Sequence, residues 1–221
     1  MAETLFRQWF VEEADENWEE SSPYTTLPLS EFIDINPKES LMKGAQATYL
    51  EMKNVRSNSS CPELWYSREY KSGTKFRNGD TIMARITPCL QNGKRAFVQF
   101  LKSNEIGWGS TEFLIFRTKE PYHPFISYLL ASNSAFKAFA EKSMTGSSGR
   151  QRVQTNSLWS FDLKRPSKEK IEELNLIFEE FSTKIHLNDN QIQTLTNLRD
   201  TLLPKLMSGE VRVKMKKSMQ V

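Results

Sequence analysis

This 221-residue chain holds only two cysteines and two histidines. Cys61 and Cys89 are too few for a disulfide framework and lack metal-ligand spacing, so they read as reduced thiols of a cytoplasmic protein. His123 and His186 have no partner at the spacing of a metal site or a catalytic triad. No run of about 18 apolar residues occurs, so no transmembrane helix is expected. Residues 1–10 carry Glu3 and Arg7 and lack the apolar centre of a signal peptide. A phosphate-binding loop of the Walker type, a glycine-rich cofactor motif and the Asn-Pro-Pro-aromatic motif of base methylation are all missing. These absences leave no cofactor and no metal to expect.

What is present begins with enough apolar matter for a core: hydrophobic residues make up 38% of the chain and aromatics 11%. The net charge is only +3, but it is spread unevenly. Residues 1–31 hold eight acids against one base, Arg7. Residues 53–102 hold ten bases against three acids, Glu63, Glu69 and Asp80, for a local charge of +7. Such a segment inside a nearly neutral chain is the footprint of a polyanion binder. Taken alone, a solvated basic face with no partner explains it equally well.

The order of elements points to an α+β fold. Alternating apolar residues mark strands at 32–35, 48–55, 81–86, 96–100 and 112–117, with a last strand at 159–163. Gly107-Trp108-Gly109-Ser110-Thr111 reads as a small-residue turn. In residues 122–142 the apolar period lengthens to that of one or two helices. The expected class is therefore a compact mixed α/β domain followed by a long C-terminal coiled-coil helix. Its divisions are a helix remnant with an acidic linker at 1–20, the domain at 21–165, the helix at 166–210 and a basic tail at 211–221.

The helix carries a heptad repeat. Ile171, Phe178, Ile185, Ile192 and Leu206 occupy one position, and Leu174, Phe181, Leu195 and Leu202 occupy the position three residues later. The 3–4 spacing places all of them on one narrow seam suited to a partner helix. Asn188 and Arg199 interrupt it with polar groups of the kind that set register or partner number. Pro166 and Ser167 suit a helix start and Gly209 a stop. Pro204, inside the last turn, should kink or end the helix locally. Forty residues at about 1.5 Å each span roughly 60 Å. Such a rod either crosses its own domain or serves as a spacer and dimerisation arm. Glu3-Thr4-Leu5-Phe6-Arg7-Gln8-Trp9-Phe10 faintly repeats Asp200-Thr201-Leu202-Leu203-Pro204-Lys205-Leu206-Met207, as if the N-terminus were the tail of a similar helix.

Two polar loops carry the candidate chemistry. Residues 85–95 form a hairpin tip with Arg85, Thr87, Gln91, Asn92, Lys94 and Arg95. Arginine and lysine match guanine edges, and asparagine or glutamine match adenine edges. Residues 145–152 form a Gly/Ser loop with Ser147, Arg150, Gln151 and Arg152, suited to close backbone approach and phosphate contact. Each loop has a plainer reading as an ordinary surface turn. Asp34, followed by Glu51-Met52-Lys53, has the order of a metal-dependent nuclease, a short pattern that arises easily by chance.

The chain resembles the specificity (S) subunit of type I restriction–modification systems over about residues 27–213. The resemblance is carried by the closing run Leu198-Arg199-Asp200-Thr201-Leu202-Leu203-Pro204-Lys205-Leu206-Met207-Ser208-Gly209-Glu210-Val211. It is carried also by Asn78-Gly79-Asp80, Arg85-Ile86-Thr87-Pro88-Cys89-Leu90, Gly93-Lys94, Gly109-Ser110-Thr111-Glu112-Phe113, and Thr145-Gly146 with Arg150-Gln151-Arg152-Val153. It implies a target recognition domain and a conserved spacer helix, in a subunit that catalyses nothing. Double-stranded DNA and the modification (methyltransferase) and restriction subunits are the implied partners. Such subunits normally carry two domains and two helices, whereas this chain has one of each and resembles a C-terminal half. Pairing with a second copy, or with another half, would bury its seam. The alternative is an inactive or regulatory half serving as a recombination cassette.

Overall fold

The computed structural model describes residues 1–11, 25–57, 59–147 and 149–212. The acidic segment 12–24 and most of the basic tail lie outside the described residues. The chain divides into two compact units, Met1–Thr183 and the residues from Lys184 onward.

Among the described residues, twelve strands lie in the first unit. In chain order they are β1 (Thr25–Pro28), β2 (Ile33–Ile35), β3 (Gln46–Leu50), β4 (Tyr66–Glu69), β5 (Thr74–Phe76), β6 (Thr81–Ala84), β7 (Arg95–Phe97), β8 (Gly107–Gly109), β9 (Phe113–Thr118), β10 (Met144–Thr145), β11 (Arg152–Val153) and β12 (Asp162–Arg165). One four-stranded sheet runs β2-β9-β6-β7 and is antiparallel throughout. A second runs β4-β3-β8-β5, with β3 and β8 parallel. Leu50, Val55, Phe76, Ile82, Ala96, Val98, Phe113 and Ile115 form one buried cluster contributed by both sheets. Each large side chain removed from water there contributes about 1.5–3 kcal/mol. Two ribbons, β1 with β12 and β10 with β11, complete the pairing.

The helices are α1 (Ala2–Phe6), α2 (Phe125–Ser132), α3 (Ser134–Lys142), α4 (Thr155–Leu158) and α5 (Lys168–Met207). Asn133 divides α2 from α3, its side chain accepting from Phe136 N at 3.0 Å as an N-cap. α1 continues into a π-helical turn, Arg7–Val11. Phe6 and Phe10 are buried, with rings 5.2 Å apart, and Phe10 packs edge-on against Phe32 and Tyr122. These N-terminal residues are therefore part of the first unit's core.

The α+β class and the long helix are as the sequence predicts, whereas several local elements differ. Residues 107–109 are a strand rather than a turn. Gly107 and Gly109 let β8 lie between β3 and β5: a Cβ on Gly109 would stand 2.7 Å from the Phe113 ring and 2.8 Å from Leu50 O. The strand expected at 48–55 ends at Leu50 and gives way to a 3₁₀ turn, Met52–Asn54. The strand expected at 81–86 ends at Ala84, and the one expected at 96–100 spans Arg95–Phe97. Residues 159–160 close α4, so the last strand starts only at Asp162. β4 escapes the pattern because Tyr66-Ser67-Arg68-Glu69 is an edge strand exposed at every position.

α5 spans all forty expected residues, and Pro204 falls inside it without ending it. Its seam has two environments. Ile171, Leu174 and Phe178 are buried, and Ser182 with them. Phe181 and Ile185 are half-buried, whereas Asn188 and Arg199 are exposed. Ile192 is 53% exposed, Leu195 65%, Leu202 44% and Leu206 40%.

Candidate nucleic-acid interface

β6 and β7 form the predicted hairpin, Thr81 opposite Phe97 and Met83 opposite Arg95. Its tip winds into successive turns, Leu90 N donating to Ile86 O at 3.0 Å and Asn92 N to Pro88 O at 2.9 Å. Leu90 is buried and holds the tip from inside, while Gln91 and Asn92 are exposed.

The basic residues of the tip turn inward. Lys94 Nζ donates to the carbonyls of Met52 at 2.9 Å and Lys53 at 3.3 Å. Arg95 donates to Ser132 Oγ at 2.7 Å and to Gly93 O at 3.0 Å, and its guanidinium lies 5.5 Å from the Tyr128 ring centre. Arg85 Nη2 donates to Val153 O at 2.9 Å, while its buried Nε has no hydrogen-bond partner.

The second loop is stitched onto the first. Ile86 and Arg152 form an antiparallel bridge. Thr87 N donates to Gln151 O, and Gln151 N donates back to Thr87 Oγ1, both at 3.0 Å. Val153 N donates to Arg85 O at 2.9 Å. Gly146 sits at φ +130°, where a Cβ would lie 2.8 Å from Arg150 O. Only glycine fits that approach, which lets Arg150 N close the turn on Ser147 O at 3.0 Å. Ser147 and Arg150 are exposed, and Gln151 is half-buried.

The two predicted loops are therefore hydrogen-bonded to each other, and their residues have unequal roles. Gln91, Asn92, Ser147 and Arg150 present exposed groups. Thr87 and Gln151 join the loops. Arg85, Lys94, Arg95 and Arg152 hold the protein together. Lys137 is absent from the sequence-based set, yet its Nζ donates to Gln91 O at 2.6 Å and steadies the tip. Its position on α3 gave no signal. Arg56, whose carbonyl accepts from Arg95 N at 3.4 Å, stands beside the hairpin; the local charge excess was its only signal.

Other charge in the basic segment is engaged elsewhere. The Arg68 guanidinium lies 4.7 Å from the Tyr49 ring centre and 5.8 Å from that of Trp108. Asp80, from the Asn-Gly-Asp turn, is 1% exposed and receives two 2.7 Å hydrogen bonds from Arg117. Burial pushes its carboxyl up, and Arg117 opposes that shift. Asp80 is thus a structural group.

The acids of the nuclease pattern each have an ion-pair partner. Asp34, on β2 of one sheet, pairs with Lys119 Nζ at 3.2 Å. Glu51 follows β3 of the other sheet and pairs with Lys53 at 2.7 Å. Among the described residues no three His, Cys, Asp or Glu side chains are grouped to hold a metal ion. Among them too, no helix is long and apolar enough to cross a membrane.

The fold, a sheet-bearing unit that runs into a forty-residue helix, is similar to that of solved type I specificity subunits. The HsdS subunit from Thermoanaerobacter tengcongensis superposes with a TM-score of 0.50 at 13% identity, over 95% of this chain and 50% of that one. The S subunit from M. genitalium gives 0.52 at 13% identity, over 89% and 48%. In sequence the chain is similar to specificity subunits of type I restriction enzymes. It is 32% identical over 146 residues to the EcoAI specificity subunit of Escherichia coli, and 29% identical over 160 residues to the EcoEI specificity subunit. Those stretches are 64% and 70% of this chain but only 24% and 26% of the relatives. The chain thus matches about a quarter of each curated relative and half of each solved structure. No protein-family model matches it.

Proposed function

We propose that this chain is a non-catalytic DNA-recognition subunit. Its first unit reads one half of a split site on double-stranded DNA through the hairpin tip and the Gly/Ser loop. The observation that supports this most is the hydrogen bonding of the two loops to each other, with Gln91, Asn92, Ser147 and Arg150 exposed on them. Gln91 and Asn92 suit base edges, and Arg150 suits a guanine edge or a phosphate. Lys94, Arg95, Arg85 and Arg152 support that surface from behind.

In this reading the exposed seam from Ile192 to Leu206 packs against the same seam of a second copy. Two-fold symmetry then makes the split site palindromic. The pair docks modification subunits, which methylate adenine, and a restriction subunit, which cleaves. The test is co-expression with the matching modification subunit in a methylation-free bacterium, followed by sequencing of modified adenines. The expected result is one split, palindromic motif. A split but non-palindromic motif would replace the second copy with a different half. Absence of any modified adenine would contradict the recognition role.

A further inference from the structure

We infer that Glu112 is a positioning residue for the recognition loops, acting through Arg152; this rests on the DNA-recognition reading above. Three segments meet at Glu112. Its carbonyl accepts from Arg85 N at 2.9 Å, at the point where β6 leads into the hairpin tip. Its own amide donates to Ser110 Oγ at 3.1 Å. Its carboxylate receives Arg152 Nε at 2.9 Å on each oxygen and Arg152 Nη2 at 2.6 Å. A forked guanidinium–carboxylate pair fixes orientation as well as distance.

The Gly/Ser loop needs that tether. Its own ribbon, β10 with β11, is two residues per strand, and so short a hairpin is marginal in water. Among the described residues, its other hydrogen bonds to residues 85–87 are two between Gln151 and Thr87 and two between Val153 and Arg85, none of them between two charged groups. Arg152 is the residue of the ribbon that both bridges Ile86 and holds Glu112. The pair therefore sets the register of Arg150 and Gln151 against Gln91 and Asn92. It also accounts for an acid beside a surface that faces phosphates: the negative charge is matched by Arg152 and does not confront the DNA.

The discriminating experiment is a charge exchange, read in two ways. Hydrogen exchange on the full chain follows the Gln151 and Val153 amides, which donate to Thr87 and Arg85. Glu112→Gln should speed their exchange tenfold or more, leave β6 and β9 unchanged, and spare the fold. Unchanged protection would overturn the inference whether or not the chain binds DNA. Titration of a duplex carrying the motif found by adenine sequencing gives the second readout. Arg152→Glu should weaken binding tenfold or more, and Glu112→Arg with Arg152→Glu should return it to within threefold of the original. A double variant as weak as Arg152→Glu alone would show that Arg152 touches DNA directly. Failure of the unsubstituted chain to bind any such duplex would instead count against the recognition role itself.

Discussion

One seam on one helix has two fates. Along the first turns of α5, Ile171, Leu174 and Phe178 are 3%, 1% and 0% exposed, so this stretch belongs to the first unit's core. From Lys184 onward the same heptad continues with Ile192, Leu195, Leu202 and Leu206 largely in water. The residue types are alike, so periodicity does not separate the two stretches. The repeat as a whole has two settings: its start roots the helix in the domain, and its remainder is the face that the proposed pairing would cover.

The largest expected effect tests the rooted stretch. Phe178→Ala should cost about 3–5 kcal/mol of domain stability, read as a fall in the denaturation midpoint. Leu195→Ala should change that midpoint by less than about 0.5 kcal/mol. Equal losses from the two substitutions would erase the distinction between the stretches. Next in size, Gly109→Ala forces a methyl against Phe113 and Leu50 O and should cost about 1–3 kcal/mol. That loss belongs to the domain alone and should leave self-association unchanged.

Arg150→Ala makes the reciprocal separation. It should lower DNA affinity by about 1–3 kcal/mol if it reads a base, or reduce the salt slope by about one if it meets a phosphate. Either result should come without a change in assembly mass. The smallest effect concerns the rooted stretch again. His123 Nε2 lies 2.8 Å from Glu179 Oε2, and this hydrogen bond holds the Glu179 carboxyl below its ordinary value. A carboxyl lowered in the folded state stabilises fully above its unfolded pKa, and that stabilisation is lost as pH falls through the folded one. The melting-temperature gap between the chain and Glu179→Gln should therefore narrow on acidification from pH 7 to pH 3. A gap that widens would assign the pair the wrong sign.

The helix and the class of fold were legible because a 3.6-residue period and a heptad are local signals. The strand at 107–109 was not, because it forms only where glycines let two neighbouring strands and Phe113 close in. The two polar loops stood out through their residue types, but the pairing of Lys94, Arg95 and Arg152 depends on acceptors far along the chain: Met52 O, Ser132 Oγ and Glu112. Glu112 itself lay in the Gly109-Ser110-Thr111-Glu112-Phe113 run, while its pairing with Arg152 is visible only in the fold. Charge patterning located a basic domain without showing that Arg68 stacks on Tyr49 or that Lys94 faces backbone carbonyls.

The most direct measurement is sedimentation equilibrium of the purified chain beside a variant carrying Leu195→Asp and Leu202→Asp. The original chain should reach twice its 25.7 kDa mass at micromolar concentration. The variant should remain at 25.7 kDa with the domain still folded. A monomeric original chain at tens of micromolar, indistinguishable from the variant, would contradict self-pairing along the exposed half of the seam.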